Sequence, residues 1–229
     1  MIFAIAAAVA AAAPASAGCP DLVTPEAMVC RGLAAEKAGN PEAAAQAFEE
    51  AAKASPNDQP VTARLWAAAG NLWINAKQPG KAAFALDRAL VGTGLQAEQR
   101  GEALLDRARA AEAQNDLKTA RAKLNEAVTT IAEDPFYWYF SAGLAIREGD
   151  RSTAQSAIAK ALTLAPSDPT ILFEAGHVAH FLGDAAKARG YWIRAAGSDP
   201  NGEVGKAAAK AVEMLGVTPT VKLDSQSPK

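Results

Sequence analysis

Glu174, His177 and His180 are side chains of the types that bind divalent metal ions, and they are spaced three residues apart. Positions three apart share a face of a helix, so this set could present a carboxylate and two imidazoles to zinc, with Asp184 further along. A catalytic zinc site usually takes a ligand from a second element, and the sequence has only this one cluster. We therefore expect no metal and no cofactor. A metal-dependent enzyme is the last of the alternatives.

Short motifs of catalysis are missing from the chain. The sequence has no Gly-rich phosphate loop, no Gly-x-Ser-x-Gly and no His-Glu-x-x-His, and its 2 His residues leave little material for acid–base chemistry. The 23 Lys and Arg residues nearly balance the 25 Asp and Glu residues, so net charge gives no reason to approach nucleic acid or an anionic membrane. We predict a protein that is not an enzyme and does not bind nucleic acid.

Residues 1–17 are interpreted as a secretory signal peptide. They carry no charge, and the apolar stretch from Ile2 to Ala13 is too short to cross a hydrocarbon core. The segment ends in small residues of the kind that a signal peptidase accepts, so we expect cleavage before Gly18 and export to the periplasm. The basic residues that usually open such a signal are missing, which suggests a start further upstream or an unusual signal.

Cys19 and Cys30 both follow the expected cleavage point. In an oxidising compartment they could form a disulfide that ties the mature N-terminus to the following helix and stabilises the fold by about 3 kcal/mol. A second interpretation is that Cys19 is the lipidated terminus of an outer-membrane lipoprotein with a structural or envelope-assembly role, because residues 17–19 resemble the end of a lipobox. A third leaves two unpaired, partly buried thiols. Contact with a membrane is expected only through the signal peptide or a lipidated Cys19.

The elements that position these residues are predicted to be helices, because Ala is abundant and strand-favouring residues are sparse outside 136–140. One three-residue pattern occurs five times in the sequence. It consists of a small residue, a bulky residue four positions later, and Ala three positions after the bulky residue. From one occurrence to the next, the final Ala residues are 38, 38, 34 and 34 residues apart. The five occurrences are Ala44, Phe48, Ala51; Ala82, Leu86, Ala89; Ala120, Leu124, Ala127; Ala154, Ile158, Ala161; and Ala188, Trp192, Ala195.

A second bulky residue lies twenty positions before each of these bulky residues and is followed four later by Gly or Ala. Spacings of three, four and seven define one helical face, so each repeat contains two helices whose backbones approach closely at the small residues. These first-helix anchors and their small partners are Met28 and Gly32, Trp66 and Gly70, Leu104 and Ala108, Trp138 and Ala142, and Leu172 and Gly176. Turns between the two helices are predicted at 39–40, 77–80, 115–116, 149–150 and 183–184.

This pattern resembles the tetratricopeptide repeat, which has a 34-residue unit with an aromatic residue and Gly in its first helix. One repeat carries the resemblance through Trp66, Gly70, Trp73, Ala82 and Ala89, and another through Gly176, Gly183, Ala188, Trp192, Ala195 and Pro200. The sequence departs from the family where four first helices have Ala instead of the usual Tyr, at Ala35, Ala111, Ala145 and Ala179. The resemblance implies an all-α, right-handed α-solenoid of about five helix-turn-helix repeats.

The expected organisation follows from the repeat boundaries. A lead-in at 18–24 precedes an array at 25–201, with repeats near 25–58, 63–96, 101–134, 135–168 and 169–202. The first two periods are four residues longer than the last two, which predicts longer helices or a locally opened superhelix near 57–61 and 91–99. An amphipathic helix at 202–216 should cap the array, because the last repeat would otherwise expose its apolar face. We expect residues 217–229 to be a disordered tail.

The resemblance also implies that the first helices line a concave surface, to which positions one, five and nine after each anchor contribute. We predict a protein-binding groove in which Asn side chains bind a peptide backbone, Arg side chains bind carboxylates and aromatic rings provide anchors. Its residues would be Asn71, Asn75, Arg109, Tyr139, Arg147, Phe173, His177 and Phe181. The alternative is that the aromatic residues pack between repeats and the arginines are solvated. The predicted function is a periplasmic scaffold or adaptor that binds a peptide or partner domain.

Overall fold

The computed structural model describes residues 18–56 and 59–216, so the predicted signal peptide and C-terminal tail lie outside the described residues. Within those two ranges all the regular secondary structure is helical, which confirms the all-α prediction. The helices are α1 (Pro25–Lys37), α2 (Pro41–Ala54), α3 (Pro60–Asn75), α4 (Pro79–Leu90), α5 (Ala97–Ala113), α6 (Leu117–Ile131), α7 (Pro135–Glu148), α8 (Arg151–Leu164), α9 (Pro169–Phe181), α10 (Ala185–Ser198) and α11 (Glu203–Gly216). Of these described helices, none is long and apolar enough to cross a bilayer.

The chain divides into two compact units between Leu95 and Gln96. In the N-terminal unit, α1 packs on α2, α2 on α3 and α3 on α4. In the C-terminal unit, α5 to α10 form three further hairpins in which consecutive helices pack together, and α7 also packs on α9. Each unit is therefore a stack of helical hairpins, the α-solenoid arrangement that the repeat predicts.

Each hairpin turn contains one residue with a positive φ, at the place where the sequence predicts a turn. Three of these residues are glycines and two are not: Gly39, Lys77, Asn115, Gly149 and Gly183. The second helix then begins at a proline or after a capping side chain. For example, the Asp184 carboxylate accepts a hydrogen bond from the Lys187 amide at 2.9 Å. The turn positions were thus correctly predicted from residue type.

The core forms where the periodic residues meet. All members of the five second-helix triplets are buried. The bulky member fills the space opposite the first-helix glycine: a β-carbon on Gly32 would lie 2.8 Å from the Phe48 ring, and Gly70 faces Leu86 in the same way. One anchor differs, because Trp138 is only half-buried while its neighbour Tyr137 is 4% exposed. Trp138 donates its indole N–H to the Ala132 carbonyl at the end of α6.

The extra residues of the two 38-residue periods lengthen the first helices α3 and α5. α3 has 16 residues and α5 has 17, whereas α1, α7 and α9 have 13 or 14. At the other end of the C-terminal unit, α11 packs on α10 and α9, and its Ala208 is buried in one cluster with Leu172 and Trp192. The prediction that a helix caps the last hairpin is confirmed.

A disulfide joins Cys19 to Cys30, with their Cα atoms 5.7 Å apart. The Arg31 guanidinium donates hydrogen bonds to the carbonyls of Pro20 and Leu22, both at 3.1 Å. The segment before α1 is therefore attached to that helix by one covalent bond and two hydrogen bonds. This is the arrangement that the first of the three interpretations of the cysteines requires.

Candidate protein-binding surface

The predicted groove residues lie on first helices of both units. Asn71 and Asn75 belong to α3 in the N-terminal unit, where the Asn75 side-chain amide lies 3.4 Å from the Asn71 side-chain oxygen. The other six belong to the C-terminal unit: Arg109 on α5, Tyr139 and Arg147 on α7, and Phe173, His177 and Phe181 on α9. The structure brings members of this second group together.

Both predicted arginines are paired with acidic residues of the same unit. Arg109 forms an ion pair with Asp106 one helical turn earlier, at 2.7 Å. Arg147 forms an ion pair with the Glu112 carboxylate, and its guanidinium also donates to the Asn115 side-chain oxygen at 2.7 Å. To bind a partner's carboxylate, either guanidinium would have to exchange one charged acceptor for another.

Tyr139 lies among these charged groups. Burial raises the pKa of its phenol, and the negative charges of Glu174 and Glu112 raise it further, while Arg109 acts in the opposite direction. Its ring meets Phe136 edge-on, with centroids 6.4 Å apart, and it packs against the buried cluster of α7, α8 and α9. Tyr139 thus contributes a half-buried, un-ionised hydroxyl to the first-helix surface.

A cleft of about 410 Å³ opens between α7 and α9. It is lined by Gly143, Ile146, Glu174, His177, His180 and Phe181. One oxygen of the Glu174 carboxylate lies 3.1 Å from the position that a β-carbon on Gly143 would occupy, and the other lies 3.2 Å from His177 Nδ1. The Glu174 side chain is 13% exposed. The cleft lining therefore combines a largely buried carboxylate with apolar groups from Ile146 and Phe181.

Aromatic contacts hold the α9 side of this cleft in place. The Phe173 and His177 rings are 4.4 Å apart, and His177 in turn meets Trp192 of α10 at 5.6 Å. Trp192 donates its indole N–H to the Phe173 carbonyl at 3.0 Å. At the end of α9, Arg151 donates to the carbonyls of Phe181 and Leu182. Phe173 therefore packs within the unit, while His177 and Phe181 line the cleft.

The residues that the sequence suggested as metal ligands do not converge. Glu174 contacts His177, but the His180 ring lies against Trp192, with centroids 6.1 Å apart. Across residues 18–56 and 59–216 there is no group of three or more His, Cys, Asp or Glu side chains arranged to hold a metal ion. Glu174 and His177 instead take part in the cleft.

Several cleft residues were missed because the helical face assigned to the groove was too narrow. That face, called the predicted stripe here, consists of positions one, five and nine after each first-helix anchor. Ile146 and His180 are eight positions after their anchors, and Glu174 is two positions after its anchor. At 3.6 residues per turn these positions lie about 20° outside the edges of the stripe formed by positions one, five and nine. A wider stripe would have included them.

A second, larger cleft lies on the opposite side of the last two hairpins, between α8 and α10. Its volume is about 630 Å³, and α9 contributes to its lining through Ala175, Val178 and Ala179. Arg151 and Lys187 provide its positive charges, and Asp184 its negative charge. The sequence pattern did not predict this cleft, because all the predicted groove residues lie on first helices, whereas the charged residues of this cleft lie on or next to second helices.

Comparisons with known proteins agree with this architecture. Residues 25–58 match one tetratricopeptide repeat model and residues 142–203 match another. Together these matches cover the first hairpin and the region from the middle of α7 through α10. The sequence matches none of the curated proteins at a significant level.

Solved structures with the same fold are also similar over most of the chain. PilW, described as a widely conserved type IV pilus biogenesis factor, is 18% identical with a TM-score of 0.68, over 82% of this chain and 84% of that one. PilF of Pseudomonas aeruginosa is 14% identical with a TM-score of 0.64, over 83% of each chain. YrrB, described as a TPR protein with an unusual peptide-binding site, is 17% identical with a TM-score of 0.57, over 80% and 91%.

The repeat matches, the periodic core and these structural neighbours lead to one conclusion. The chain contains tetratricopeptide repeats, at residues 25–58 and 142–203, and its described residues have the fold of these solved structures.

Proposed function

We propose that this chain is an exported interaction scaffold that holds a peptide segment of a partner protein against the first helices of its C-terminal unit. The cleft between α7 and α9 is the observation that carries the proposal, because it combines apolar walls with a partly buried charged group. Proteins of this fold include YrrB, which is described as having an unusual peptide-binding site. The same surface provides half-buried aromatic side chains, which are common anchors at interfaces.

Export to the periplasm is part of the proposal. It is supported by the uncharged, apolar leader and by the pairing of Cys19 with Cys30, since disulfides persist in oxidising compartments. The lipoprotein alternative would use the Cys19 sulfur for a lipid and leave Cys30 without this partner. Mass spectrometry of the N-terminus of the protein from intact cells separates the two. We expect a free Gly18, and a diacylglyceryl group on Cys19 would favour the lipoprotein.

Site-specific photo-crosslinking tests whether the cleft faces a partner. A photoreactive amino acid at His180, which is exposed at the cleft, should form one dominant crosslink to another protein in intact cells. The matched control is the same amino acid at Asn125, an exposed position on α6. Crosslinks of equal yield at both positions, or at Asn125 alone, would contradict binding at the cleft.

Once a partner has been identified, two changes distinguish how it binds. Gly143→Leu places a side chain in the cleft and should weaken capture of the partner. The double change Arg109→Ala and Arg147→Ala removes the guanidinium groups that a carboxylate ligand would need, and a loss of binding specific to this pair would favour recognition of an acidic segment. The cleft proposal predicts the larger loss for Gly143→Leu.

A further inference from the structure

We propose that the cleft between α7 and α9 recognises a basic side chain, Arg or Lys, of the bound peptide, with Glu174 as its counter-charge. This inference rests on the proposed function, because it concerns the ligand of the same surface. It differs from the sequence-based prediction, in which the arginines of the surface would bind a carboxylate.

The distribution of ion pairs leaves Glu174 as the acid available to a ligand. On the same surface, Arg109 is paired with Asp106 and Arg147 with Glu112. Among the described residues, His177 is the one ion-pair partner of Glu174, and no Lys or Arg pairs with it. Arg109 and Arg147, the cations of this surface, are held by other carboxylates. The cleft lining therefore includes one carboxylate, that of Glu174, with no Lys or Arg partner among the described residues.

The position of Glu174 makes this charge effective. Its side chain is 13% exposed, so the carboxylate has lost much of the water that would screen it. Electrostatic attraction between opposite charges grows as the surroundings become less polar, so a cation that reaches Glu174 gains more than at a fully exposed carboxylate. The negative charge of Glu174 also raises the pKa of the Tyr139 phenol, which shows that its field reaches a neighbouring helix.

The shape of the cleft suits a long side chain with a charged end. Gly143 has no β-carbon, which lets the Glu174 carboxylate approach the α7 backbone: one of its oxygens lies 3.1 Å from where that β-carbon would be. Ile146 and Phe181 provide apolar walls. Arg and Lys side chains bury their aliphatic stems against apolar surfaces while their charged groups contact a polar group. In this cleft the stem would pack on Ile146 and Phe181, and the charged group would contact Glu174.

The test uses peptides that differ only in charge. We would titrate the purified exported chain with Ac-Gly-Ala-Arg-Ala-Gly-amide and with the same peptide carrying citrulline, a neutral isostere of Arg, and follow backbone amide signals by NMR. We expect the Arg peptide to bind about tenfold more tightly, which corresponds to about 1.4 kcal/mol, with the largest changes at Gly143 and Glu174. Equal binding of the two peptides would overturn the proposal.

Two variants assign the effect to Glu174. Glu174→Gln keeps the shape of the side chain and removes its charge, so it should abolish the preference for Arg over citrulline. The matched control, Glu126→Gln on α6, removes an acid outside the cleft and should leave the preference unchanged. A preference that survives Glu174→Gln, or shifts that map away from the cleft, would refute the inference. Crosslinking at His180 without any preference for Arg would retain the proposed function and reject only this ligand class.

Discussion

The indole ring of Trp192 occupies the space beside Gly176 in which any other residue would place its β-carbon. The ring is held there, because its N–H donates to the Phe173 carbonyl at 3.0 Å and because Trp192 is 5% exposed. Adding a methyl group at Gly176 must therefore displace a packed ring. We expect Gly176→Ala to lower the free energy of unfolding by about 1–3 kcal/mol, measured by urea denaturation.

Gly190→Ala is the matched control for this change. Gly190 also lies within a helix, α10, but a β-carbon there would meet nothing within 4 Å. Ala favours a helix over Gly by up to about 1 kcal/mol, so this variant should be more stable than the wild type. If both variants shifted the unfolding midpoint in the same direction, the close approach of Trp192 to Gly176 would be refuted.

Arg121 joins α6 to α7 through three groups. Its guanidinium forms an ion pair with Glu148 at 2.6 Å and donates to the buried Ser141 hydroxyl at 3.0 Å and to the Ser141 carbonyl. Arg121→Met keeps most of the stem and leaves Ser141 without this donor. We expect this change to lower the free energy of unfolding by about 1–2 kcal/mol, measured by chemical denaturation. Arg189→Met, at an exposed position of α10, should change stability by less than about 0.5 kcal/mol. Equal effects would show that the contacts of Arg121 contribute nothing specific.

Asp150 at the start of α8 should make stability depend on acid pH. The Thr153 hydroxyl donates to its carboxylate at 2.6 Å and the Thr153 amide at 3.0 Å, and these bonds hold the pKa of Asp150 below its ordinary value of 3.8. Because the folded-state pKa is lowered, this stabilisation is present above pH 3.8 and is lost as the pH falls through the folded-state value. The melting temperature of Asp150→Asn should therefore lie below that of the wild type at pH 6.

The difference between wild type and Asp150→Asn should then shrink as the pH is lowered toward 2, because the wild-type carboxylate becomes protonated. Melting temperatures of both proteins across this range measure it. Glu203→Gln, at a side chain that is 99% exposed, is the control variant for the same measurements. A difference for Asp150→Asn that does not vary with pH would contradict the role of this carboxylate.

The Cys19–Cys30 disulfide should stabilise the N-terminal unit. It closes a loop with a sequence separation of 11, and a loop of this size contributes about 3 kcal/mol in the chain-entropy model. The double variant Cys19→Ser, Cys30→Ser should melt at a lower temperature than the wild type. Adding a reductant should lower the wild-type melting temperature by a similar amount and leave the double variant unchanged. A reductant effect on the double variant would point to a cause other than this bond.

The fold was predictable because its information is local and repeated. A buried triplet such as Ala188, Trp192 and Ala195 can be recognised from helical spacing alone. Because the triplet recurs at a nearly constant period, the pattern stays recognisable even where a single repeat departs from it. The hairpin turns were predictable for the same reason, since Gly, Asn and Asp favour turn conformations wherever they occur. Lys77 adopts a positive φ although Lys has no such preference, and its turn was found through the neighbouring Pro79 and Gly80.

The chemistry of the surface was less predictable, because it depends on pairs of residues from different helices. The ion pair between Arg147 and Glu112 spans 35 residues, and nothing near Arg147 in the sequence indicates it. Glu174 was recognised as a charged residue, but its place in the cleft follows from its contact with Gly143 across α7 and α9. Residue type identified the polar positions, whereas the packing of neighbouring hairpins decided which charges cancel.

The contact between His177 and Trp192 gives the C-terminal unit a built-in optical signal. The His177 ring lines the cleft, and its centroid is 5.6 Å from that of the indole. A molecule that enters the cleft alters the surroundings of His177, and the emission of Trp192 responds to such changes at short range. Replacing the other three tryptophans, Trp66, Trp73 and Trp138, with Phe would leave Trp192 as the sole emitter, so that occupancy could be followed without attaching a dye.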